Sequence, residues 1–202
     1  MRDRQLREIK ERLFTPPADM IGQRLHPTTI TLIGAAVGVG AAAAAWGAAY
    51  GLGLLLWVIN RALDGLDGTV ARRAGRQSDL GGYVDLLVDF LVYGLIPVGL
   101  AASQRDEAVY MAALLLLASF YLNAASWMAL AAVLERRGQG AVAVTEKTTI
   151  TMPGGLIEGA ETVGFYVLFF LLPGHLVVLF GLMAALVLVT IAQRLVWAIR
   201  HL

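Results

Sequence analysis

Cysteine is absent from the 202 residues, which excludes disulfides, thiolate metal sites and a cysteine nucleophile. Charge is scarce, with Asp, Glu, Lys and Arg together at 15%, while hydrophobic residues reach 58%. That balance is far from an ordinary soluble domain and points to a bilayer protein. The net charge of +1 gives no overall field that would attract nucleic acid, and no nucleic-acid partner is expected. His26, His175 and His201 are scattered near the ends of apolar runs and form no ligand cluster. There is no convincing internal repeat and no low-complexity linker. The N-terminus, MRDRQLREIKERLF, is dense in charge where a secretory signal would carry its apolar core, so no cleavable signal is expected.

What the chain does have is long apolar runs, at about 28–50, 51–63, 80–102, 109–134, 155–172 and 176–199. A spanning helix needs roughly 20 mostly apolar residues. The expectation is therefore an all-α fold, a single membrane-embedded domain over 1–202 built as a polytopic bundle of six transmembrane helices. The Gly-rich AAYGLG reads as a tight turn between the first two helices, and the second helix continues into charged sequence as far as Arg73. Within 1–25, Leu6, Ile9, Leu13 and Phe14 share one helical face. This segment reads either as a short amphipathic helix lying at the membrane interface or as a helix packed on the protein's own cytoplasmic face.

Charge asymmetry gives the orientation. Basic residues collect in the N-terminal segment, after the second run (Arg72, Arg73, Arg76), after the fourth (Arg136, Arg137, Lys147) and at the C-terminus, while the opposite loops carry only Arg105. By the positive-inside rule, both termini and the loops after the second and fourth spans face the cytoplasm, and a prokaryotic cytoplasmic membrane is expected.

Four acids lie where a spanning helix should have none. Asp64 and Asp67 are i, i+3 at the cytoplasmic end of the second helix, and Asp85 and Asp89 are i, i+4 inside the third run. A carboxylate at the centre of a spanning helix costs roughly 2.5–3.5 kcal/mol on insertion scales. Acids cannot neutralise one another, so they require cations. Salt bridges to Arg61, Arg72 and Arg73 are one answer. A divalent ion is the other, and hard oxygen donors without a His or Cys cluster suit Mg²⁺ or Mn²⁺ rather than zinc. Gly68 follows Asp67, and Gly81 lies one turn before Asp85. Helical glycine costs about 1 kcal/mol against alanine, which points to the close approach of a backbone or ligand. Small, acid-lined and basic-rimmed, such a site suits a metal-bound pyrophosphate.

Together these residues spell Asp64-x2-Asp67-Gly68-x2-Ala71-Arg72-x8-Gly81-x3-Asp85-x3-Asp89, and the chain resembles the CDP-alcohol phosphotransferase family at every fixed position of that family's signature. The resemblance implies six helices, a cytoplasmic active site and a homodimer. It implies that Asp64, Asp67, Asp85 and Asp89 bind one or two Mg²⁺ or Mn²⁺ ions, with Asp89 as general base. It also implies that Asp64, Gly68, Ala71, Arg72, Ser78 and Gly81 form the site for the CDP moiety. A weaker match, His26-Pro27-Thr28-Thr29-Ile30-Thr31, keeps the family's proline and final threonine, so that Thr31 joins the CDP site, and has Thr28 where relatives carry Asn.

The implied reaction is phospholipid synthesis, in which a CDP-linked lipid donor and a small alcohol acceptor give a phosphatidyl-alcohol and CMP. Chain length favours CDP-diacylglycerol as donor over the reverse arrangement, transfer of a CDP-linked head group to a diacylglycerol-like lipid. Acceptor choice is expected from the later helices. Glu158 and Glu161, i, i+3 at the start of the fifth span, either contact the acceptor or serve the helix dipole. Arg136, Arg137, Lys147 and Arg194 either receive a phosphorylated acceptor or simply follow the topology rule. Asn123 and Ser126 read as interhelical hydrogen-bonding residues. Two rival readings are an intramembrane prenyltransferase, which would carry two separated Asp-rich motifs, and a non-catalytic ion-binding or transport protein, which would carry midplane acids on several helices.

Overall fold

The structure is a computed structural model that describes residues 25–139 and 155–202, and all regular structure among them is helical. The chain divides into two compact units that part after Gln104.

Among its described residues the first unit contains three helices: α1 (Pro27–Trp46), α2 (Tyr50–Arg73) and α3 (Asp79–Gln104). Helix α1 starts with proline at its first position, where the missing N–H has no intrahelical partner to lose. His26 precedes it, and its Nδ1 accepts a hydrogen bond from the Thr28 amide at 3.4 Å. This histidine, incidental in the sequence, thus caps a helix. The turn that follows is made by Gly47–Ala49, with Ala48 in the left-handed region at φ 56°. The glycines expected to form it, Gly51 and Gly53, fall inside α2 instead.

Helix α2 crosses without a break from apolar to charged sequence and stops at Arg73 as expected. Gly75, at φ 62°, terminates it: its amide bonds the Arg72 carbonyl at 3.4 Å, and the Arg76 amide bonds the Ala71 carbonyl at 2.9 Å. These paired bonds across a left-handed glycine are the Schellman stop, which satisfies carbonyls that the helix end leaves open. The Ser78 hydroxyl then accepts the Gly81 amide at 3.1 Å in the first turn of α3.

Helix α1 packs against both α2 and α3, and small residues bring the backbones close. A Cβ on Gly38 would run into Val92 of α3 and press on Asn60 of α2, and one on Gly99 would run into the Ala42 carbonyl. Such contacts are how helices associate where lipid supplies no hydrophobic drive between them. Ile30, Leu66 and Val70 close a small apolar core beside this seam.

The second unit contains α4 (Glu107–Arg136), α5 (Gly159–Leu171), a 3₁₀ turn at Pro173–His175, and α6 (Leu176–His201). Asp106 caps α4 by accepting the Ala108 amide at 2.7 Å. Helix α6 runs along α4, and Phe169 of α5 meets Phe180 of α6 edge to face at 4.8 Å. Edge-to-face rings set the positive ring edge against the negative face.

The six helices among the described residues bear out the all-α membrane bundle. Four are long and apolar enough to cross a bilayer: α1, α3, α4 and the 173–201 stretch. In α2 the apolar run is broken by Arg61, Asp64 and Asp67, and α5 has 13 residues. Residues 1–24, nearly all of the expected interfacial segment, lie outside the described residues.

Candidate active site

The four signature aspartates come together in the first unit. Asp64 and Asp67 from α2, and Asp85 and Asp89 from α3, line one pocket with Thr31 and Gly34 of α1 and Asn60 and Arg61 of α2. Helical spacing explains the convergence. Positions i and i+3 on α2 face positions i and i+4 on α3, and the glycines of α1 let the third helix close the pocket from the side.

Two of the carboxylates are already held by neighbours. Thr31 Oγ1 donates to Asp67 Oδ2 at 2.6 Å, and Asp67 is buried. Arg61 Nη2 donates to Asp89 Oδ1 at 2.9 Å, and Arg61 Nη1 lies 3.8 Å from Asp64 Oδ2. Arg61 is itself firmly placed. Its Nε donates to Asn60 Oδ1 at 2.8 Å, and its Nη1 donates to the Tyr93 hydroxyl at 3.1 Å. Its guanidinium carbon sits 4.8 Å from the Trp57 ring centre and 4.9 Å from that of Tyr93. Asn60, almost wholly buried, is anchored by donating from Nδ2 to the Gly34 carbonyl at 2.8 Å.

The salt-bridge alternative for the acids is met by Arg61. Arg61 serves Asp89 and lies near Asp64, whereas Arg72 donates from Nη2 to Thr69 Oγ1 at 3.3 Å. Asn60, Trp57 and Tyr93, which fix Arg61, were not picked out from the sequence. The available signal was Asn60-Arg61 lying one turn before Asp64, two strongly polar residues closing an otherwise apolar run.

The remaining residues expected at the CDP site lie along the last turns of α2 and the first turn of α3. Gly68, Ala71 and Gly81 are half-buried, and Arg72 and Ser78 are exposed. A Cβ on Gly68 would meet only Arg72 Nη1 at 3.3 Å, and one on Gly81 only Ser78 Oγ at 3.1 Å. Among the described residues neither glycine packs against another helix, in contrast to Gly38 and Gly99.

In the second unit, Glu158 and Glu161 form the start of α5. Glu158 Oε1 accepts the Gly155 amide at 3.0 Å, and Glu161 Oε2 accepts the Glu158 amide at 3.3 Å. Arg194 Nη1 donates to Asn123 Oδ1 at 2.9 Å and lies 3.4 Å from Ser126 Oγ, the interhelical use expected of that pair. Arg136 is exposed in the last turn of α4. Lys147 lies outside the described residues.

The pocket's donor set is all hard oxygen, which suits Mg²⁺ or Mn²⁺. It is not a closed cage: among the described residues, no three His, Asp or Glu side chains are gathered closely enough to hold an ion. Thr31 and Arg61 account for part of that spacing by holding Asp67 and Asp89. The donor chemistry fits a divalent ion, with room left for oxygens from a ligand.

Comparison with known proteins identifies the family. A family model for CDP-alcohol phosphatidyltransferase matches residues 24–199. The inner membrane protein YnjF of Escherichia coli is 34% identical over 177 residues, covering 86% of this chain and 82% of that protein. The archaetidylinositol phosphate synthase of Methanothermobacter thermautotrophicus is 36% identical over 98 residues, 48% of this chain and about half (49%) of that protein. Among solved structures, the phosphatidylinositol phosphate synthase PgsA1 of Mycobacterium tuberculosis with CDP-DAG bound superposes with a TM-score of 0.73 at 23% identity, covering 91% of this chain and 92% of that one. The same enzyme in complex with manganese and citrate gives 0.69 at 22% identity, covering 90% and 87%. At these identities the superpositions establish a shared fold.

Proposed function

The chain belongs to the CDP-alcohol phosphatidyltransferase family, and we propose that it makes a phospholipid by transferring the phosphatidyl group of CDP-diacylglycerol to the hydroxyl of a small polar alcohol. The observation that carries this reading is the single pocket in which Asp64, Asp67, Asp85 and Asp89 meet across two helices. Membership of the family, and the likeness to a synthase that has CDP-DAG bound, support the donor.

In this reading Asp64, Asp67 and Asp85 hold Mg²⁺ or Mn²⁺ against the donor's pyrophosphate, and Asp89 faces the incoming alcohol. The ion, when bound, neutralises charge on the pyrophosphate and on the departing phosphate. Asp89 takes the hydroxyl proton as the alcohol oxygen forms its bond to the phosphorus that carries diacylglycerol. The bond from that phosphorus to the CMP oxygen breaks, and CMP leaves with the electron pair. Asp89 needs only hydrogen-bond reach of the hydroxyl for this role. Gly68 and Gly81, with no other helix against them among the described residues, leave the ends of α2 and α3 open to the cytidine and ribose, with Arg72 and Ser78 beside them.

The site opens toward the cytoplasm in this reading, because the basic loop at Arg72, Arg73 and Arg76 follows α2 directly. Glu158, Glu161, Arg136 and Lys147 are the candidates from sequence for reading the acceptor. The working form is a homodimer, as in the family the chain resembles.

The test is binding of CDP-diacylglycerol to the full chain in detergent, with and without Mn²⁺, followed by thermal shift. Stabilisation that needs the metal, and that Asp67→Asn abolishes, is the expected result. Equal binding with and without metal, or no binding at all, overturns the reading.

A further inference from the structure

A cation already sits among the four aspartates, and it is held by uncharged neighbours as well as by them. Arg61 is gripped by Asn60 Oδ1 and the Tyr93 hydroxyl and lies within cation–π distance of both the Trp57 and Tyr93 rings. Asn60 is tied in turn to the backbone of α1 at Gly34, and Trp57 and Tyr93 meet edge to face at 5.5 Å. The guanidinium is thus oriented by contacts from α2 and α3, with α1 holding Asn60 in place, before any acid is counted. Arginine suits this role better than lysine, because its planar fork bonds several acceptors at once and stacks on aromatic faces. From that fixed position, Nη2 reaches Asp89 Oδ1 at 2.9 Å and Nη1 lies 3.8 Å from Asp64 Oδ2.

We propose that Arg61 is a built-in counter-cation of the pocket, a positioning residue that holds Asp89 by Oδ1 and takes up charge there that a further divalent ion would otherwise neutralise. The proposal rests on the functional reading above and refines it. Asp89 is kept for the alcohol's proton because an arginine, rather than a metal ion, is its standing cationic partner. The three other aspartates are left to the ion on the pyrophosphate. A fixed positive charge a few ångströms from a divalent ion weakens that ion's binding, and at the effective dielectric of a protein site the penalty is well above thermal energy. Removing Arg61 should therefore strengthen metal binding even as it impairs catalysis. A residue needed only to hold the helices together would do the opposite, since its loss would loosen the pocket and weaken metal binding.

The experiment measures Mn²⁺ bound per chain by electron paramagnetic resonance of free Mn²⁺, on the full protein in detergent, for wild type, Arg61→Gln and Arg61→Lys. At the free Mn²⁺ concentration that half-saturates wild type, Arg61→Gln should bind more Mn²⁺, with an apparent affinity raised about tenfold or an added ion. Arg61→Lys keeps the charge and should bind Mn²⁺ as wild type does. Its CMP release should fall in kcat at unchanged KM for the donor, because the fork that orients Asp89 is lost. Should Arg61→Gln fail to fold, the lysine variant decides alone: wild-type Mn²⁺ binding with reduced kcat supports the proposal, and any other pattern overturns it. Unchanged or weakened Mn²⁺ binding in folded Arg61→Gln overturns it as well. Wild type that binds no Mn²⁺ removes the functional reading itself, an outcome distinct from wild type that binds while the variants do not differ from it.

Discussion

Thr31 on α1 donates a 2.6 Å hydrogen bond to Asp67 Oδ2 on α2, so the first helix contributes directly to the orientation of a signature carboxylate. Both residues are buried, with Thr31 at 7% and Asp67 at 4% exposure. A hydroxyl donating to a charged acceptor makes a short, strong bond, and a buried acceptor stripped of its donor bears a desolvation cost.

Replacing Thr31 with valine should therefore destabilise the protein by about 1–3 kcal/mol, seen as a lower thermal midpoint in detergent. Thr31→Ser should keep most of the stability, since the hydroxyl remains. If Thr31 served only the nucleotide, neither change would move the midpoint of the ligand-free protein, and only donor affinity would fall.

The glycine seam makes a second, graded prediction. Gly99→Ala should destabilise more than Gly38→Ala, because the new methyl at 99 meets the backbone carbonyl of Ala42, whereas at 38 it meets chiefly the side chain of Val92. Overpacking of this kind costs about 1–3 kcal/mol, with the backbone clash at the upper end. Gly94→Ala, on the same helix as Gly99 with nothing near its new methyl, should leave the midpoint unchanged or raise it slightly, because alanine is the better helix former.

Glu161 separates helix capping from acceptor recognition. Its Oε2 accepts the Glu158 amide at the start of α5, the reach-back bond of a capping box, in which glutamine also serves. Glu161→Gln should keep the thermal midpoint and Glu161→Ala should lower it, by about 0.5–2 kcal/mol if the loss resembles that of other caps. A rise in acceptor KM in Glu161→Gln, at unchanged stability, would assign its charge to the alcohol.

Much of this site was legible because its determinants are local. Spacing on α2 and α3 put each aspartate pair on one helical face without knowledge of the fold, and α2 was read as continuing through the charged sequence to Arg73. The turn before α2 was misplaced because glycine marks permissible backbone, not required backbone. The left-handed position fell on Ala48, leaving Gly51 and Gly53 in the helix. The partner of Arg61 was also hidden. An arginine three residues before Asp64 reads as an i, i+3 pair with it, yet the shorter bond is to Asp89 on the next helix. Tyr93 and Trp57, which steer it there, carry no signature in the sequence. Nor do Gly38 and Gly99 differ by sequence from glycines that pack against nothing. The packing of α1 against both neighbours distinguishes them.

The central claim is that the four-aspartate pocket releases CMP by passing a phosphatidyl group to an alcohol. The most direct test is CMP release from CDP-diacylglycerol by purified protein with Mg²⁺ or Mn²⁺ across a panel of alcohols including serine, glycerol phosphate, inositol and inositol phosphate. The account predicts release that depends on one acceptor, stops on chelation of the metal, and falls by about 10²–10⁴-fold in Asp89→Asn while donor binding persists. Acceptor-dependent release that survives in Asp89→Asn, or continues after chelation, would contradict it.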